Sequence, residues 1–464
     1  MQENRNTQRD KIKHLYWRAG FGLSPAQWRE RRDWSVEKAV AQLFADAENY
    51  EELEAQFNAN RATTRMARSD RSEAIKMEKN LVSDITHDWI MRMAGENGAS
   101  ELQEKMTLFW HGHFACRTKS SFFAGLQQNT LRKYGLSHFK DLLMAMTKDA
   151  AMMRFLDNQY NRKASPNENF ARELLELFTL GIGNYTENDV KEAARAFTGW
   201  TTNRYGEFVF AKKFHDFGQK TFLGLQGRLD GEDVIDQILS KRATAEFLCR
   251  KIYRYFVNDE INERRVKELT DSFYRSNYHI GQLMQQIFSS DWFYDSSNQA
   301  NKIKSPIILL AGLTRQLGLR GILPANLTAL QKALGQQLFA PPNVAGWKGG
   351  ITWVDNSTLL LRLQLPSVIF QISSLQFSLK PELERSRPWQ LKNLEVEVDF
   401  RALQSLVGRR ATSGYHDELL DYFILPEPSV EESAIMEYAD TSTNDNLLKS
   451  LCVNLMSLPE YQIH

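Results

Sequence analysis

The residues of this chain that could do chemistry fall in four short segments. In the first, residues 166–181, Glu173 and Glu176 stand three apart. On a helix that spacing places two carboxylates about 60° from each other, an arrangement that serves acid/base work, a metal ion or a plain ion pair. Glu168, Arg172 and Glu176, spaced by four, form a potential ion-pair ladder on one face. The second segment is Phe109-Trp110-His111-Gly112-His113-Phe114. Residues two apart on a regular helix point about 200° away from each other, so His111 and His113 chelate one ion only if the chain leaves the helix near Gly112. Imidazoles joined by carboxylates suit zinc, iron or manganese; the alternative is a helix end with one capping and one packing histidine. The third segment, residues 214–224, sets His215 and Asp216 in a glycine-containing loop between aromatics, followed by Lys220. Here His215 could be a ligand or general base, Asp216 a ligand or the group orienting an imidazole, and Lys220 a contact for a substrate anion. The competing reading is an Asx-type turn with a surface histidine. In the fourth, residues 341–353, two prolines and three glycines shape a loop carrying Asn343, Trp347 and Trp353; a tryptophan there could stack on a planar ligand or plug the loop onto the helices.

Read as one pocket, the four segments assign catalysis to His215, Asp216, Glu173 and Arg172. They assign substrate contact to Lys220, Asn343 and Trp347, and a divalent transition metal to His111, His113 and Glu176. The simplest chemistry for such a pocket is hydrolysis, metal-dependent or acid/base. The alternative is a non-catalytic binding or scaffold protein whose same segments lock helices together. No phosphate-binding glycine loop, nucleophile elbow or His-Glu-x-x-His helix is present in the sequence.

The elements that must position these residues are mainly helices. Phe170, Leu174, Leu177 and Leu180 recur at helical spacing, with Asn167 as N-cap and Gly181 as stop. This pattern predicts a helix over 167–180 that buries Leu174, Leu177 and Phe178. Ser24-Pro25 and Ser35 are start signals, Ser100 with Gln103 forms a capping box for 100–110, and Thr186 with Asp189 opens a helix that stops at Gly199. Further helical patterns cover 231–240, 243–257, 263–276, 279–290, 303–317, 324–334, 355–373, 413–424 and 443–457. A β signal is confined to 206–224. The fold class is therefore a mainly α, multi-helix globular assembly with one short ribbon. A main body over 1–378, a connecting segment over 379–400 and a C-terminal helical part over 401–464 packed on the body complete the expected organisation.

The chain has 464 residues, 42% hydrophobic and 25% charged, with a net charge of +1, which offers no global attraction for nucleic acid or an anionic membrane. The arginines between Arg61 and Arg71 read as a solvated helix or loop. Cys116, Cys249 and Cys452 are far apart and fit neither a disulfide framework nor zinc-ligand spacing. The polar N-terminus lacks the apolar core of a signal peptide and no window spans a membrane, so the expected compartment is the cytoplasm.

In order along nearly the whole length, the sequence resembles a bacterial family catalogued as domain of unknown function 1800. The resemblance rests on residues 14–22 (His14-Leu15-Tyr16-Trp17-Arg18 onward), 105–114, 167–186, Gly199-Trp200, His215-Asp216, 250–257, Lys304-Ser305-Pro306 and 343–347. It implies a mainly helical protein, often encoded beside a sulfatase/alkaline-phosphatase-like protein that carries a twin-arginine export signal. That partner offers a second expectation for location: export as a folded complex. The resemblance implies no particular reaction.

Overall fold

The computed structural model describes residues 2–49, 52, 71–372, 375–377, 389–391, 394–408 and 411–464. It is 64% helical, with 21 α-helices among the described residues. The starts follow local chemistry. Ser24 accepts from the Gln27 N–H with Pro25 in the first turn, Ser35 caps Val36–Glu48, and Thr186 and Asp189 form a reciprocal box at the head of Glu187–Ala196. At Ser100 the hydroxyl accepts from the Gln103 N–H, but the Gln103 side chain donates to the Arg132 carbonyl instead of closing the box.

Strand is limited to three antiparallel two-stranded ribbons among the described residues. Trp200–Thr202 pairs with Phe208–Phe210, and Lys220–Phe222 with Leu225–Gly227. The β region thus begins earlier than the sequence pattern indicates and is split in two. A third pair, Leu375–Phe377 with Trp389–Leu391, has no counterpart in the sequence reading. The second ribbon is stitched to helix Glu187–Ala196 by carboxylates: Glu192 accepts from the Thr221 N–H and Asp189 from the Leu223 N–H. Those bonds satisfy edge donors that such a short ribbon leaves unpaired.

One continuous set of buried side chains runs from Ile12 to Tyr461. Helix Glu101–His113 lies deep within it, with almost every residue buried. Its acids tolerate burial because they are met in place. Arg132 grips Glu104 through two bonds of 2.8 and 2.9 Å, Trp89 Nε1 donates to the same carboxylate, and Arg315 pairs with Glu101. The C-terminal part docks on the opposite end of the chain: the Tyr422 hydroxyl donates to the Leu23 and Gln316 carbonyls, and Ile463 bridges to Ile303. The arginine run over 61–70, and residues 379–388 and 392–393 of the 379–400 connection, lie outside the described residues. The three cysteines are free and buried. Among the described residues no helix is long and apolar enough to cross a membrane.

Candidate functional site

The segment around Glu173 is not one regular helix. An α-helical turn, Asn169–Glu173, runs into a π-helical stretch, Leu174–Thr179, in which the Leu180 N–H reaches back to the Leu175 carbonyl at 2.9 Å. Glu168 takes the cap position without a side-chain cap bond, and Asn167, the expected cap, instead makes an Asx-type bond by accepting from the Asn169 N–H; Gly181 ends the segment with φ +78°. The change of period moves the apolar face. Leu174, Leu175 and Phe178 are buried, whereas Leu177 is only partly buried, which corrects the expectation that Leu177 belongs to the core. Arg172 is committed to salt bridges, bidentate with Glu187 at 2.7 and 2.8 Å and with Glu168 at 3.1 Å. Glu176 accepts from the Tyr185 hydroxyl, not from Arg172. The carboxyl of Glu173 is raised above its ordinary range, by burial first and then by Glu176.

The His-Gly-His segment stays helical through Gly112 to His113, where the Phe114 N–H still bonds the Trp110 carbonyl. The two imidazoles therefore point apart, as helical geometry requires, and the proposed metal set of His111, His113 and Glu176 is not brought together. His111 faces Trp89, Phe339 and Trp347, and its Nε2 accepts from the Phe339 N–H at 3.2 Å. Burial pushes its pKa down to about 4. His113 faces the π-helical stretch: its Nε2 lies 3.1 Å from the Phe178 carbonyl and its Nδ1 3.3 Å from Lys251 Nζ. A carbonyl can only accept, so Nε2 carries the proton and Nδ1 receives from the ammonium. Burial, and then Lys251, hold His113 well below the usual imidazole range. Lys251 also donates to the Leu177 carbonyl, tying three helices at one point. It lies in a segment that carries the family resemblance, but no periodicity marks it.

His215 and Asp216 form a separate knot. Arg195 Nε donates to Asp216 Oδ2 at 2.7 Å while the Gly218 N–H takes Oδ1, so Asp216 does not orient His215. The hydrogen bond from Arg195 is the main reason its carboxyl sits below the usual range. The orienting group is Thr198: its carbonyl lies 2.8 Å from His215 Nδ1, and its hydroxyl accepts from the Asp216 N–H. The proton thus resides on Nδ1, and Nε2, between Phe210 and Phe217, keeps its lone pair. Lys220 is buried and donates to the carbonyls of Asp216 and Gly218, closing the turn. No hydrogen bond, ion pair or ring contact joins His215 to His111 or His113 among the described residues.

The 341–353 loop closes over the His-Gly-His helix. Asn343 forms an Asx turn with the Ala345 N–H, and Trp347 lies with its ring centroid 5.8 Å from that of His111. Gly346 has φ +78°, and a Cβ there would come within 2.6 Å of the Gly112 carbonyl, whereas a Cβ on Gly112 itself would meet nothing, so it is Gly346 that serves the close backbone contact. Among the described residues, one histidine–carboxylate group has donor atoms within reach of a single ion: His416, Asp417 and Glu432, with both acids exposed.

A mainly helical body with short ribbons stitched to it is the architecture these motifs build. The chain belongs to the family of proteins of unknown function DUF1800, whose model matches residues 14–463. No curated protein and no solved structure matches it.

Proposed function

We propose that this protein is a non-catalytic binding or scaffold protein that acts with a sulfatase/alkaline-phosphatase-like partner. The observation that carries the reading is how the candidate catalytic groups are used. Asp216 is bound to Arg195 and the Gly218 N–H, Arg172 to Glu187 and Glu168, and Lys220 to two carbonyls. Side chains held in this way stabilise loops and helix ends rather than wait for substrate. The partner is the one that the family resemblance implies, and transport with it as a folded complex follows from the same reading. The test is co-expression with that partner followed by purification through a tag on either chain. A complex of fixed stoichiometry is expected, with no ester hydrolysis by this chain alone.

A second reading, acid/base hydrolysis, is favoured by one observation: the Thr198 carbonyl leaves the His215 Nε2 lone pair available as a base. Hydrolysis of a sulfate, phosphate or carboxylate ester by the purified chain, lost in His215→Gln at unchanged stability, would replace the scaffold reading with this one.

A further inference from the structure

Three segments that carry the family resemblance, far apart in sequence, meet around Trp17 and bring cations with them. Lys105 Nζ donates to the carbonyls of Trp17 and Gly20 at 3.0 and 2.7 Å. Lys304 Nζ sits 3.8 Å from the ring centroids of both Trp17 and Tyr461 and donates to the Tyr461 carbonyl. Arg18 donates through Nη2 to the Asn298 carbonyl and the Asn301 side chain. His464, its ring 6.1 Å from that of Trp17, lies in the field of Arg18, Lys105 and Lys304 together. Arg18, Lys105 and Lys304 are each 1% exposed.

Three buried basic side chains close together require either loss of protons or an anion. The acid acting on Arg18, Asp259, is already paired with Lys302, and neither Lys105 nor Lys304 forms an ion pair with a described residue. The lysines can shed a proton, and burial does push both well below their usual range. Arg18 cannot escape so easily: burial lowers it only to about 9, so it stays charged at neutral pH. Its Nε and Nη1, with His464 Nδ1, have no hydrogen-bond partner among the described residues although all three are buried. A guanidinium, two lysine amines and an imidazole gathered around Trp17, with Arg18 and His464 nitrogens unmet and no ion-paired carboxylate for the lysines among the described residues, match the recognition chemistry of an oxyanion.

We propose that Arg18, Lys105, Lys304 and His464 form an internal binding site for one small oxyanion: a phosphate, a sulfate or a carboxylate. The site goes beyond the scaffold reading, since an anion there binds whether or not a partner does. It also gives the Trp17 segment a role distinct from core packing, because the bound anion would link the first helix, the His-Gly-His helix and the loop that carries Lys304.

The test uses the full chain dialysed against chloride buffer. Ion chromatography after denaturation measures any anion retained, and calorimetric titration with inorganic phosphate, sulfate and acetate separates the three classes. One equivalent retained, or saturable one-to-one binding of at least one probe, is expected. Lys304→Met and Lys105→Met keep the stem and remove the charge; each should lower affinity or retention at least tenfold, and two variants guard against one failing to fold. Neither retention nor binding in the wild-type chain, or unchanged binding in the folded variants, overturns the proposal. The same titrations on protein carrying a neutral extension after His464 decide whether an α-carboxylate at that residue competes. Binding seen only in the extended protein would assign the site to the chain's own carboxylate and overturn the proposal.

Discussion

The π-helical stretch makes a quantitative distinction between two neighbouring leucines. In a regular α-helix Leu177 would stand about 60° from Leu174 and share its buried face, and its truncation would cost as much as any core leucine. A π turn holds more residues, so the same three-residue step falls further short of a full rotation and carries Leu177 toward solvent. Leu175 is fully buried and Leu177 partly exposed. Leu175→Ala should therefore cost about 2–5 kcal/mol, the range for a buried leucine that leaves a cavity. Leu177→Ala loses only part of its burial and leaves no closed cavity, so about 1 kcal/mol is expected from the area removed from water. Urea unfolding followed by tryptophan fluorescence, with the slope compared between variants, measures both. Equal costs for the two substitutions, or a larger one for Leu177→Ala, would refute the π-helical register.

Other expectations follow from single contacts. Arg195→Ala strips Asp216 and Glu192 of their guanidinium and should cost about 1–3 kcal/mol, with the Asp216 carboxyl titrating closer to its usual range by NMR; an unmoved Asp216 would mean that the bond contributes nothing. His111 should titrate near pH 4. A folded pKa below the unfolded one makes its contribution to stability complete above pH 6.5 and progressively lost as pH falls toward 4, and His111→Phe should flatten that part of the stability profile; a midpoint near 6.5 would show an exposed ring. Gly346→Ala combines positive φ with a Cβ 2.6 Å from the Gly112 carbonyl and should destabilise by about 1–3 kcal/mol; a neutral result in thermal unfolding would show that the loop does not rest on the helix.

Local chemistry along the chain was enough to determine the helical class, most helix starts and the stop at Gly181, because capping residues and apolar periodicity act within a few positions. The same reasoning pointed to His111, His113, His215 and Asp216 as unusual, since each pairs an ionisable group with aromatics or glycine. It could not say what those side chains would meet. The helix runs on through Gly112 to His113, which local composition did not settle, and whether Asp216 would orient His215 depended on Arg195, some twenty residues away. The π turn falls where Leu174, Leu175 and Phe178 are buried while Glu176 and Leu177 stay partly exposed, a register that apolar spacing read at the α-helical period does not reveal. The convergence of Arg18, Lys105 and Lys304 was the least legible. Each basic residue looks ordinary in its own segment, and only the tertiary fold, by removing all of them from water at one place, leaves Arg18 with buried donors that no described residue meets.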